Sequence, residues 1–157
     1  MRRRSAFQGE VTVMIRARFL VYTNMQTGAR PSSAWFRWRL VSANNRPLGE
    51  GPGYYDDLPS CRRAIAEVSE LCGEAELRLV SEPDTGLWTW QLGVVRSHQL
   101  LAGSARSYHR QRESRHSAEV FRQIAPAGEV APELLIVPTA RRGMTRGSLP
   151  AVSYALN

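Results

Sequence analysis

Large apolar residues recur at every second position in two well-separated stretches of the chain. Phe36, Trp38 and Leu40 alternate with Arg37 and Arg39, and the spacing returns as Trp88, Trp90 and Leu92. Successive side chains of a strand point to opposite faces, so each triplet makes one apolar face and predicts a half-buried β-strand. Another alternating stretch precedes each triplet, Phe19 to Thr23 in the first case and Leu77 to Ser81 in the second. Glu82-Pro83-Asp84-Thr85-Gly86 links the second pair, and a longer segment with Thr27-Gly28 and Pro31 links the first, so both read as hairpins. Ala43-Asn44-Asn45-Arg46 then marks a tight turn into a third short strand near Leu48, whose counterpart lies near Leu100 after Arg96-Ser97-His98. A tyrosine follows each third strand, Tyr54 or Tyr55 in one half and Tyr108 in the other.

The period then changes from two to between three and four. Cys61, Ala64, Ile65 and Val68 form one helical stripe, and Ser117, Val120, Phe121 and Ile124 repeat it 56 residues later. Asp57 or Ser60 can cap the first helix, Pro59 suits its first turn, Gly73 suits its end, and Pro126 closes the second. A last apolar run, Leu134 to Val137, predicts one more strand. The ordered series strand, turn, Trp strand, turn, strand, Tyr, helix thus occurs twice, the mark of a duplicated supersecondary unit in an α+β protein. The expected division is a basic N-terminal extension over 1–16, repeat 1 over 17–74, repeat 2 over 75–137 and a flexible Arg/Gly/Ser/Pro tail over 138–157.

Charge adds a second layer to this picture. All 21 basic residues are arginines, which reads as coding bias more than as selection for phosphate contacts. The formal charge of +7 is accounted for by the two ends, +4 in residues 1–18 and +3 in residues 138–157. Inside the body the signs segregate: residues 50–84 carry a net −6 and residues 96–122 a net +4. No run approaches the ~20 apolar residues of a bilayer span, and Arg16 and Arg18 interrupt the segment that a signal peptide would need apolar. The expectation is a cytoplasmic protein without membrane contact, translated from Met1 or Met14.

These residues resemble the YegP-like family, whose motif runs aromatic-Arg-Trp-Arg-Leu, an Asn-Gly turn, a strand, Gly-Tyr, and a helix with Ile and Val. Phe36-Arg37-Trp38-Arg39-Leu40, Asn44-Asn45, Leu48, Gly53-Tyr54, Ile65 and Val68 stand in those places. The second half matches through Trp88, Trp90, Leu92, Ser104, Tyr108 and the stripe with Phe121 and Ile124. It departs where Arg96-Ser97 replaces the Asn-Gly turn and where about three extra residues separate Tyr108 from Phe121. The resemblance implies two β-β-β-α-β repeats sharing a continuous antiparallel sheet, helices packed on one face and last strands exchanged between units. The family carries no established activity, so the resemblance lends a fold and no reaction.

Candidate chemistry is sparse. Gly49-Glu50-Gly51-Pro52-Gly53 lacks the lysine of a phosphate loop, and Asp56-Asp57 beside it would repel a phosphate. Cys61 and Cys72 lie eleven residues apart on one helix, about 16 Å, too far for a disulfide or a joint metal site. His109 and His116 are two helical turns apart and read as a solvated face. The expectation is no catalytic residues, no metal and no cofactor. The leading reading is a non-catalytic binding or assembly module, with self-association as one mode. The alternative is weak, sequence-nonspecific nucleic-acid binding through Arg2, Arg3, Arg4, Arg141, Arg142 and Arg146.

Overall fold

A computed structural model describes residues 16–24 and 34–137. Among these residues seven strands and two α-helices follow one another as β1 (Arg18–Thr23), β2 (Phe36–Val41), β3 (Pro47–Glu50), α1 (Leu58–Leu71), β4 (Glu76–Ser81), β5 (Trp88–Val94), β6 (Gln99–Gly103), α2 (Gln111–Ile124) and β7 (Glu129–Ile136). The strands form one sheet in the order β4-β5-β6-β3-β2-β1-β7. The two hairpin sets meet at its centre, where Glu50 of β3 pairs with Gly103 of β6. Both helices pack on one face of the sheet, as an α+β fold requires, and neither is long and apolar enough to cross a membrane.

The expected all-antiparallel sheet needs one correction. β7 runs parallel to β1, because the chain leaves α2 at the end of the sheet where β1 begins. Their ladder slips between Phe19 and Val21, opposite Pro132, which has no N–H to donate. β7 also starts five residues before the predicted Leu134. The last strand of the second half thus completes the sheet edge of the first, as the resemblance implied.

Each Trp strand presents its large residues to the helices. Trp38, Leu40, Trp90 and Leu92 are fully buried there. Phe121 of α2 joins the halves, its ring centroid 5.1 Å from Trp90 and 6.4 Å from Trp38. The close approach depends on Gly49: a Cβ at that position would stand 2.5 Å from Phe121 Cδ2. Gly51 meets Trp38 in the same way, a Cβ there falling 2.7 Å from Nε1. Gly49 and Gly51 are therefore packing residues.

The second helix corrects the predicted alignment of the halves. α1 and α2 have equal length and both bounds are displaced by 53 residues, as are Tyr55 and Tyr108, which make the matching bridges to Phe36 and Trp88. No extra residues separate Tyr108 from the helix. α1 buries Cys61, Ile65, Val68 and Cys72; α2 buries Ser114, Ala118, Phe121 and Ala125 in the same places. Ser117, Val120 and Ile124 are only half-buried, so the stripe predicted at 56 residues is displaced by three. The second β-turn also closes normally: His98, with φ of 54°, takes the left-handed position that Asn45, with φ of 63°, takes in the first.

Candidate functional site

The face of the sheet away from the helices differs between the halves. In β2 the residues between the apolar triplet point there, and Arg37 and Arg39 are each only 6 % exposed. Both reach Glu50 of the adjacent β3: Arg37 Nη2 lies 3.4 Å from Oε1, and Arg39 Nη2 and Nε lie 3.1 and 3.3 Å from Oε2. These are the ion pairs present among the described residues. Two guanidinium groups thus reach the one Glu50 carboxylate. Arg37 Nε is buried and meets no acceptor.

Aromatic rings frame the cluster. Tyr54, 48 % exposed, lies over the Arg37 guanidinium at 4.9 Å and stands edge-on to half-buried Trp35 at 5.1 Å. The Arg39 guanidinium lies 5.9 Å from the Tyr22 ring. Leu20, Tyr22, Val41 and Ala131 form a small apolar cluster beside them, which is why every residue of β2 is buried on both faces. Next to Arg37 and Glu50 a cavity of about 310 Å³ opens toward Gly51, Thr89, Gln91, Gly103 and Ser104. Thr89, Gln91 and Gly103 are the second half's counterparts of Arg37, Arg39 and Glu50 in the strand ladders.

On the helix side, Ser117 Oγ accepts hydrogen bonds from Trp90 Nε1 at 3.1 Å and from the Tyr108 hydroxyl at 2.6 Å. The equivalent place in the first half holds Ala64, and the buried Trp38 Nε1 meets no acceptor. Burial raises the pKa of Tyr55, with the Trp38 indole acting in the opposite sense. Burial also pushes the Cys61 thiol up to about 11 and raises that of Cys72, so both are protonated at neutral pH. Both cysteines are free.

Of the residues singled out in the sequence, Phe36, Trp38, Leu40, Val68, Trp90, Leu92, Tyr108 and Phe121 meet in one core. Tyr54 does not: Tyr55 is the true counterpart of Tyr108, and Tyr54 is turned to the opposite face, where it covers Arg37. Asn44 sits in the exposed β2–β3 turn, its side chain against the Ser42 hydroxyl. Arg2, Arg3, Arg4, Arg141, Arg142 and Arg146 lie outside the described residues. His109 and His116 are exposed, and no three ligand-type side chains cluster among the described residues. Glu50 was missed because its glycine neighbours drew attention to a loop. The available signal was an arginine at both outward positions of one short strand, which calls for a carboxylate across the ladder.

Residues 32–78 match the family described as a domain of unknown function, DUF1508. The fold is shared with the solution structure of YegP from E. coli, a protein of unknown function, at 15 % identity and a TM-score of 0.56 over 74 % of this chain and 93 % of that one. A UPF0339 protein from Shewanella oneidensis shares it at 10 % identity and a TM-score of 0.53 over 79 % and 95 % of the two chains. No curated protein matches significantly. The matched segment and the shared fold are consistent with the resemblance to the YegP-like family.

Proposed function

We propose that this chain is a non-catalytic binding module, built from two copies of one unit over 17–74 and 75–137, that receives an anionic group of its partner at Arg37 on the face away from the two described helices. One observation carries the reading: the Arg37 guanidinium is buried, its Nη2 lies 3.4 Å from Glu50, and its Nε has no acceptor. Holding guanidinium groups out of water costs several kcal/mol unless they are fully compensated. The fold does not require that cost, because the second half builds the same ladders with Thr89, Gln91 and Gly103. Exposed Tyr54 and half-buried Trp35 give the rim the composition of a binding hot spot.

The test transplants the second half's residues onto the first as Arg37→Thr, Arg39→Gln and Glu50→Gly together, with circular dichroism checking the fold. Inorganic phosphate and citrate serve as probes at constant ionic strength. The wild-type chain should be stabilised against heat by at least one of them, and the triple variant by neither. A wild-type chain indifferent to both probes refutes the proposal.

A second reading, weak nucleic-acid binding, draws support from α2. Its N-terminal turn carries His109, Arg110, Arg112 and Arg115, where α1 has Asp56, Asp57, Pro59 and Arg62. Cations oppose the helix dipole at that end, and none of these arginines forms an ion pair among the described residues. Retention on RNA at modest salt should fall on Arg110→Gln with Arg112→Gln, and fall further on removal of residues 1–13 and 139–157. Retention unchanged by both would eliminate the reading.

A further inference from the structure

The sheet ends on one side at β7 and on the other at β4. β1 and β4 hold equivalent places, each the outer strand of a hairpin with the Trp strand of its half. Beyond β1 the sheet continues into β7, whereas beyond β4 no strand follows among the described residues. The strand that leaves α1 is β4 itself, so among the described residues no further strand covers its outer edge. An edge strand presents a row of N–H and C=O groups to any strand that can pair with it.

β4 reads Glu76-Leu77-Arg78-Leu79-Val80-Ser81. Leu77 and Leu79 pack against the common core, while Glu76 and Arg78 are exposed on the other face. Neither charge forms an ion pair among the described residues.

We propose that two copies of this chain join edge to edge through β4, antiparallel and centred on Leu77, to make one continuous sheet. Antiparallel pairing sets residues of the same face opposite one another, which leaves few registers to compare. Centring on Arg78 sets that arginine against its own copy, a destabilising like-charge pair. Centring on Leu79 sets Glu76 against Glu82 of the second copy, again like against like. Centring on Leu77 sets Glu76 opposite Arg78 twice, through the two-fold axis, with Leu77 against Leu77. Centring on Glu76 sets it against its own copy, and centring on Val80 sets Arg78 against Glu82 but also Glu76 against Asp84 and Leu77 against Pro83, which has no N–H to donate. Charge and pairing together therefore favour the Leu77 register, with a copy of the same strand as its occupant. The contact is short, so the dimer is weak and salt-sensitive. It uses no residue of the Arg37 face, and the two proposals stand or fall separately.

Sedimentation equilibrium over a concentration series at low salt measures the association. The wild-type chain should dimerise reversibly and less at high salt. Glu76→Arg sets arginine against arginine and Arg78→Glu sets glutamate against glutamate, so each should weaken dimerisation by about tenfold. Mixed in equal amounts, the two variants regain complementary pairs and should form a heterodimer close to wild-type strength. Circular dichroism checks that each variant is folded. A wild-type chain that stays monomeric at high concentration overturns the proposal, and protection of its β4 amides from hydrogen exchange would then assign the edge to the chain's own remaining residues. Dimers indifferent to either variant, or a mixture without rescue, overturn it equally.

Discussion

Trp38 and Trp90 hold matching places in the sheet, yet their indole N–H groups differ in outcome. Trp90 donates to Ser117, which also takes the Tyr108 hydroxyl; Trp38 has Ala64 at the matching helix position, and its buried Nε1 acts on the Tyr55 hydroxyl without forming a well-aligned hydrogen bond. A buried donor without an acceptor costs about 1–3 kcal/mol. Ala64→Ser should therefore place a hydroxyl between Trp38 and Tyr55 and raise stability by about 1 kcal/mol, after about 0.5 kcal/mol is lost to the lower helix propensity of serine. Ser117→Ala should lower it by about 2 kcal/mol, since two donors then lose their acceptor. Urea unfolding of both variants decides the matter: a destabilised Ala64→Ser would mean the first half is packed too differently for the triangle to form. The alternation that exposed Trp38 and Trp90 in the sequence is a backbone property, legible in any strand. The Ser117 hydroxyl between Trp90 and Tyr108 is not legible, because a serine at a helical position has no period.

The two helices show where sequence patterns lose their footing. A stripe at i, i+3, i+4 and i+7 is nearly unchanged by a shift of three, so the pattern alone could not separate a displacement of 53 residues from one of 56. Only burial of Ser114, Ala118 and Ala125, small residues that carry little hydropathy signal, fixes the register. Helix starts differ too. Asp57 caps α1 by accepting from the Ser60 amide at 2.7 Å, whereas Arg110 at the same place in α2 makes no cap hydrogen bond. Arg110 has the extended backbone of a capping residue, φ −123° and ψ 138°. Arg110→Asp should therefore stabilise the protein by about 1 kcal/mol while weakening retention on RNA, a trade that distinguishes function from folding at one residue. The Asp57 carboxyl is held below the usual aspartate range by the Ser60 amide and hydroxyl. A group with a depressed folded pKa adds stability above its unfolded pKa and loses it as pH falls through the folded one. Asp57→Asn keeps an acceptor at the cap, so it should retain most neutral-pH stability and flatten the acid limb of a stability curve.

At the scale of the molecule, the halves are not separable bodies despite their similarity. Phe121 of α2 stacks at 23° on Trp38 of β2, Gly49 of β3 yields the space for that ring, and β7 closes the edge of β1. Across the helix ends, Ser69 Oγ reaches the Ala125 carbonyl at 3.5 Å, and Arg122 donates to the Ala75 carbonyl at 3.0 Å. Charge segregation along the sequence gave no hint of this, because the links are apolar rings and backbone carbonyls. Interleaving of this kind leaves neither half a core of its own, so unfolding should be a single cooperative event. Paired variants, Trp35→Phe with Trp38→Phe and Trp88→Phe with Trp90→Phe, leave tryptophans in one half each and report the two halves by fluorescence. For either variant the fluorescence midpoint should coincide with its own midpoint by far-ultraviolet circular dichroism. Phe121→Ala should lower both probes together by about 3–5 kcal/mol, although it lies in the second half. A Phe121→Ala protein in which the Trp90 signal is lost while the Trp38 signal persists would show two independent units and would contradict the shared core. The same measurement bears on the exchange of strands: because β7 follows α2 within a few residues and pairs with β1, loosening α2 should release the edge of the first half, and no intermediate with only one hairpin set covered should accumulate.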